Sequence, residues 1–429
     1  MRELTAWLDA PEAAAFPYRP VLAEFHRVGK HFVADGLLAS LAAARERLAE
    51  LPPEASVAPG RRLLDGFLDT ALDKWDGRYD YPTYTALVLL AAPDAGPGTR
   101  VRDHRDRLVA MLLADLLRFE REAAAGATGL FPELRPDASL VAKRYRLALR
   151  VALPALRRLG LDHPDPGAEP GEAARLLWET VSGALDEGER QVLRLSMLPV
   201  YVSHDEYLFV RVLQAFEATF ALLVVRLRAS IAALDADDEA GAVRSLGVAE
   251  SALAESAPLF SLLATMQAAA FQEFRQFTEG ASAIQSRGYK LVESLCRTPD
   301  AERLHSHAYR SVPEVRAGVL DGQRTLDDAY RGYRARRGDG EDVRDGLTGA
   351  MAGFASALRR WRQTHYRLAV RMLGERSGTG YTEGTPYLSA VRRIPVFDSV
   401  PTASAPDSGT EDEARAGAGA QRTAGVTVG

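Results

Sequence analysis

Six residues near the C-terminal end, Phe354, Leu358, Trp361, His365, Leu368 and Met372, recur at intervals of 4, 3, 4, 3 and 4 and so share one face of a helix. His365 is the only histidine centred in a long apolar stripe. An imidazole there is either a core histidine satisfied internally or a ligand to a buried metal or haem iron, and spacing alone leaves both readings open. The stretch Gly374-Glu375-Arg376-Ser377-Gly378-Thr379-Gly380-Tyr381-Thr382-Glu383-Gly384 follows directly. Its glycines permit close backbone approach to a ligand. It has no lysine of the G-x-x-x-x-G-K-[ST] type, which argues against a nucleotide site.

Arg275 precedes a run of small and polar residues, Gly280-Ala281-Ser282-Ala283-Ile284-Gln285-Ser286. Such a loop can present N–H groups and hydroxyls, and a guanidinium beside it can grip a carboxylate through two parallel charged hydrogen bonds. A solvated arginine next to a connecting loop fits the same pattern, in a chain with 49 arginines and four lysines. A third segment, Ser203-His204-Asp205-Glu206-Tyr207-Leu208-Phe209, opens a helix running to about Arg228. Ser203 or Asp205 can cap it, and its acids suit the helix dipole. Phe209, Leu213, Phe216 and Phe220 then form one apolar stripe, the pattern of an ordinary buried core helix. The remaining histidines, His26, His31, His104, His163, His305 and His307, show no zinc-binding spacing, and no G-x-S-x-G nucleophile motif is present.

The elements that must position these residues read as helices nearly throughout. Apolar positions repeat at three and four over residues 33–51, 103–123 and 138–159, with Pro154 expected to bend or break the last of these. Leu198-Pro199-Val200-Tyr201-Val202 is too short to predict a sheet. The fold class expected is all-α: a helical-bundle core with an additional helical N-terminal region. The Gly/Pro-rich stretch 160–171 marks a boundary, and residues 336–346 a second punctuated region. The expected division is a helical extension over 1–165, a linker over 166–180, a core over 181–398 and a disordered tail over 399–429, where bulky apolar side chains are almost lacking.

Composition narrows the class. The 429 residues are 47% hydrophobic, with 58 acidic against 53 basic side chains, a formal net charge of −5. That excludes a mostly disordered chain and argues against a nucleic-acid partner. No uninterrupted run of about 18 apolar residues suggests a membrane span. The first residues do not read as a secretory signal, and a lone cysteine, Cys296, cannot form an internal disulfide or a thiolate cluster. The expectation is a soluble, cytoplasmic protein.

Taken in order, HDEYLFVRVLQAFE (204–217), FRQFTEGASAIQS (274–286) and WRQTHYRLAVRMLGERSGTG (361–380) resemble the tryptophan 2,3-dioxygenase family. The resemblance spans roughly residues 198–395; its most specific feature is Trp-Arg-x-x-His with Gly-Thr-Gly beginning 13 positions after the histidine. It implies a haem b oxygenase acting with O2 on L-tryptophan or a related indole amino acid, with ring cleavage to an N-formylkynurenine-type product, in a homo-oligomer (dimer or tetramer). By the same resemblance His365 corresponds to the proximal haem ligand and Arg275 to the clamp on the substrate carboxylate. Thr379 corresponds to the contact to the substrate ammonium. Phe209 and Phe271 correspond to indole-pocket aromatics, Phe271 being tyrosine in the family. Phe260 falls where the family has a haem-contacting tryptophan, and Ser282 matches a serine close to the haem. Two departures bear on the substrate. The family's distal histidine is Leu213 here, which removes an acceptor for an indole N–H, and the usual Gly-Thr-Gly-Gly reads Gly378-Thr379-Gly380-Tyr381. Alternatives are a specialised-metabolism relative resembling the pyrrolnitrin enzyme and acting on a modified tryptophan, a haem sensor or carrier, and a haem-free helical scaffold. In the family a segment from a neighbouring subunit completes the pocket. Trp75-Asp76-Gly77-Arg78-Tyr79-Asp80-Tyr81-Pro82-Thr83-Tyr84, with four aromatics in ten residues, is a candidate substitute, although a packed turn between helices fits it as well.

Overall fold

The computed structural model describes residues 1–50, 60–90, 99–165, 167–337, 346–374 and 384–400. Regular structure among the described residues is helical, with no strand and one isolated bridge, Glu133 to Ser203. The helices that build the site are numbered in chain order: α1 (Thr99–Ala124), α2 (Ala138–Arg158), α3 (Pro170–Ala184), α4 (His204–Asp235), α5 (Glu239–Leu263), α6 (Ala268–Arg275), α7 (Arg287–Cys296), α8 (Gly346–Leu373) and α9 (Thr385–Arg393).

Helix α4 is the axis of the bundle, packed by α1, α5 and α7. It is apolar on most of its circumference because each of those neighbours covers a different face. It turns into α5 through Asp237, which takes a left-handed conformation (φ 59°), and Asp238, whose side chain accepts the Gly241 N–H at 2.8 Å. By length and composition α4 and α5 could each cross a membrane, but 78% of the apolar window of α4 and 50% of that of α5 are buried inside the protein. Packing within the bundle therefore accounts for much of their apolarity.

Pro154 does not break α2, which continues to Arg158, and α5 likewise runs through Pro258. Each proline leaves the carbonyl four residues earlier without its N–H partner. Those residues, Arg150 and Ala254, are exposed, so water can satisfy the freed groups. Most of the stretch expected as a linker is helix: α3 starts with Pro170 at its first turn, and the Glu169 carboxylate accepts the Glu172 N–H at 2.9 Å.

One buried core extends from Tyr81 to Val400, and α1 to α3 share it with α4, α5, α7 and α8. A second core gathers Leu4 to Leu72 with Ala86, Leu89, Leu195 and Leu198. Residues 29–31 clip this N-terminal region to the segment before α4, Lys30 N–H donating to Pro199 O (2.7 Å) and His31 N–H to Val200 O (3.2 Å). Gly29 is required there: its φ is +81°, and a Cβ would stand 2.7 Å from the Tyr201 Cα. The short run 198–202 is thus paired backbone without being part of a sheet. The punctuated stretch 336–346 from residue 338 to 345, and the tail from residue 401 on, lie outside the described residues.

The first turn of α4 is held by charge. Arg144 of α2, fully buried, donates at 2.6 Å to Glu120 of α1 and at 2.6 Å to Asp205, while the His204 ring lies 3.1 Å from Glu120. Asp205 also accepts the Gln267 N–H at 2.6 Å, which fixes the start of α6. Glu206 accepts the N–H groups of Val200 and Tyr201. Ser203 occupies the N-cap position but its side chain makes no capping bond, so the acids of this turn serve long-range anchoring and not the cap expected from sequence.

Candidate functional site

A cavity is walled by α4, the C-terminal end of α5, α6 and the loop after it, the second half of α8, and α9. Helix α8 explains how a single stripe can serve two purposes. Phe354 and Leu358 are fully buried in the core, whereas Trp361, His365, Leu368 and Met372 face the cavity. His365 is half-buried, its ring between Trp361 (centroids 5.3 Å apart) and the nearly parallel Phe260 ring (6.1 Å). Desolvation, reinforced by the nearby Lys290 charge, lowers its pKa to about 4. The imidazole is therefore neutral at physiological pH, the form that binds a metal. Among the described residues no cluster of three or more His, Cys, Asp or Glu could hold a bare ion.

The sequence-predicted residues converge here. Phe209 and Leu213 of α4, Phe260 of α5, Phe271 and Arg275 of α6, Ser282 of the following loop and His365 of α8 all line the same cavity. Phe209 packs edge-on against Phe271 at 5.8 Å and tilts against buried Phe274 at 5.4 Å. Arg275 ends α6, half-buried in the cavity wall. Leu213 presents an apolar surface in the middle of the α4 stripe. Thr379 and Tyr381 lie outside the described residues.

The aromatic segment 75–84 contributes to this wall from within the same chain. Tyr81 and Tyr84 line the cavity, and Tyr84 approaches Phe209 at 6.4 Å. Gln285 couples this segment to the loop of Ser282, its side-chain oxygen accepting the N–H of Tyr81 (2.9 Å) and of Ser282 (3.2 Å). From behind, the buried Lys30–Asp73 pair (3.0 Å) is joined by the Thr83 hydroxyl on Asp73 (2.9 Å), and Asp80 caps the short helix Tyr81–Tyr84.

Several lining residues were not singled out from sequence. Lys290 is buried, its ammonium 5.1 Å from the Tyr289 ring, and desolvation lowers its pKa to about 7 against the opposing pull of Glu293. Arg362 donates to the Tyr289 hydroxyl (2.8 Å) and to Ile394 O (2.7 Å). Glu217 stands in the α4 wall one turn beyond Leu213, and burial raises its pKa to about 7. A signal for each was present: Lys290 is one of four lysines, Glu217 interrupts an apolar stripe, and Arg362 is the arginine of Trp-Arg-x-x-His. Apart from Glu217 the described polar lining is neutral or cationic, a setting for a ligand that carries carboxylates.

An all-α bundle thus brings a neutral histidine and an arginine into one aromatic cavity. No family model matches the chain. The tryptophan 2,3-dioxygenase of Bordetella pertussis is 26% identical over 237 residues, covering 47% of this chain and 83% of that protein. The tryptophan 2,3-dioxygenase of Polaromonas sp. (strain JS666) is 26% identical over 237 residues, covering 47% of this chain and 80% of that protein. That of Bradyrhizobium sp. (strain ORS 278) is 25% identical over 234 residues, covering 46% and 83% respectively. The similarity is distant and takes in less than half of this chain.

Proposed function

We propose that this protein is a haem-dependent oxygenase of L-tryptophan or a closely related indole amino acid. The observation that carries the reading is the placing of a neutral, half-buried imidazole, His365, in the same aromatic cavity as Arg275. The residues fit haem b. A single imidazole suits a metal that brings its other ligands with it. Phe260, Leu368 and Trp361 offer apolar surface to a macrocycle, and Lys290, Arg362 and Arg392 offer cations to its carboxylates. Haem held by His365 supplies the O2 chemistry itself; the protein supplies binding, orientation and electrostatics.

Each remaining contribution belongs to side chains. Arg275 takes the substrate carboxylate. Phe209, Phe271 and Tyr84 enclose a flat ring, and the apolar Leu213 positions it by shape. Thr379 is proposed as the ammonium contact. Closure of these walls around the ligand excludes water and strengthens the Arg275 ion pair. Leu213 also favours a second reading, in which the ring is a substituted indole that an apolar wall accommodates.

Arg275→Ala is expected to weaken binding of L-tryptophan by roughly 2–4 kcal/mol, the cost of losing one partner of an enclosed charge pair. Calorimetric titration of the haem-supplied protein checks this, with substituted indole amino acids run in parallel to separate the two readings. An unchanged affinity rejects the carboxylate role.

A further inference from the structure

We infer that Glu217 is a specificity-determining residue of this cavity, accepting a hydrogen bond from a donor at the far end of the ligand's side chain, which for an indole is the ring N–H. The inference rests on the reading of the cavity as an indole amino-acid site. Among the described lining residues Glu217 is the sole carboxylate. It lies one turn after Leu213 on α4, so both side chains share the helix face that forms the wall. It is 8% exposed, and its Oε1 is buried with no hydrogen-bond partner among the described residues.

Packing gives no reason for a carboxyl here. An apolar residue would continue the stripe of Phe209, Leu213, Phe216 and Phe220, and an unsatisfied buried acceptor costs folding free energy. Instead a place is made for it. The hydroxyls of Tyr81 and Ser286 lie near it, and Gly288 makes room: a Cβ there would stand 2.9 Å from the Glu217 Oε2. One oxygen is thus supported by the protein and the other is left for a ligand.

The position along α4 selects which ligand group arrives. Phe209 abuts Phe271, one turn before Arg275 on α6. Glu217 is eight residues beyond Phe209, about 12 Å along the helix axis. An amino acid held by its carboxylate at Arg275 keeps its ammonium, borne on the same carbon, at that end. Only the end of its side chain extends toward Glu217.

The test is a calorimetric titration of the full-length, haem-supplied protein as wild type, Glu217→Leu and Glu217→Gln. The ligands are L-tryptophan, ring-N-methylated L-tryptophan and indolepropionate, which has the ring N–H but no ammonium. The wild type should prefer L-tryptophan to its N-methyl derivative by about 10-fold or more, as expected for a buried hydrogen bond lost without replacement. Glu217→Leu should abolish that preference and weaken indolepropionate by the same factor. Glu217→Gln, which keeps an acceptor oxygen, should retain most of it. The melting temperature of each variant is read alongside, because Glu217→Leu removes an unsatisfied acceptor but also leaves the buried Tyr81 and Ser286 hydroxyls without that partner. A Glu217→Leu variant that keeps the wild-type preference, whatever its melting temperature, overturns the inference. Loss for tryptophan but not for indolepropionate places the contact at the ammonium and overturns it too. A wild type that binds no indole ligand overturns the cavity reading itself, and this inference with it.

Discussion

His365→Ala is expected to abolish stable haem binding, removing the Soret band that the wild type shows after haem is supplied. The effect should exceed the roughly 10–100-fold that loss of a mere outer-shell partner costs a metal site, because among the described residues no second histidine lines the cavity. The geometry makes the role specific. The imidazole sits between Trp361 and Phe260 on the cavity side of α8, while the same helix face two to three turns earlier is closed core at Leu358 and Phe354. Removing a half-buried ring from the cavity wall should disturb the fold little, so the melting temperature of the haem-free variant should stay near that of the haem-free wild type. Added imidazole should restore part of the Soret band by occupying the space left by the side chain. An intact band in the variant would assign the metal to another ligand.

Arg144→Ala should destabilise the protein by about 3–5 kcal/mol, the cost of leaving buried charges unpaired. Glu120 and Asp205 would both lose their 2.6 Å partner inside the bundle. Burial disfavours the charge on Glu120, and Arg144 is the leading influence that nonetheless holds its pKa below the ordinary carboxylate range. The damage should reach the site, because Asp205 also fixes the start of α6, which carries Phe271 and Arg275. Denaturant unfolding of the haem-free protein measures the loss. Combining Arg144→Met with Glu120→Gln and Asp205→Asn should recover part of it, since no buried charge is then left alone. A single variant within about 0.5 kcal/mol of wild type would show that the triad contributes no more than a surface position.

Helices were legible wherever one face is apolar, and the periodicity over 33–51, 103–123 and 138–159 corresponds to the helices Asp35–Ala49, Thr99–Ala124 and Ala138–Arg158. Pro154 misled because the effect of a proline depends on whether the carbonyl it frees can reach water, and that is a property of the packed bundle. The expected linker misled in a similar way: a Pro-rich approach to a helix start reads as punctuation until the helix is seen to begin at Pro170. Local pattern left ordinary core and surface readings open for His365, Arg275 and Phe209; what singled them out was the resemblance of their three segments, taken together, to one family. Glu217, Lys290 and Arg362 escaped because burial, not sequence neighbourhood, makes them unusual. Which of the four aromatics of segment 75–84 face the cavity was likewise not readable, because that depends on the Gln285 side chain 204 positions away.

The most direct test of the account supplies the haem-loaded protein with reductant, L-tryptophan and isotopically labelled O2, and follows the product by mass. The account predicts a product heavier than tryptophan by two oxygen atoms, both from O2, formed by the wild type and not by His365→Ala. A haem-loaded wild type that leaves both L-tryptophan and substituted indole amino acids unoxidised, or a product whose oxygen comes from water, would contradict it.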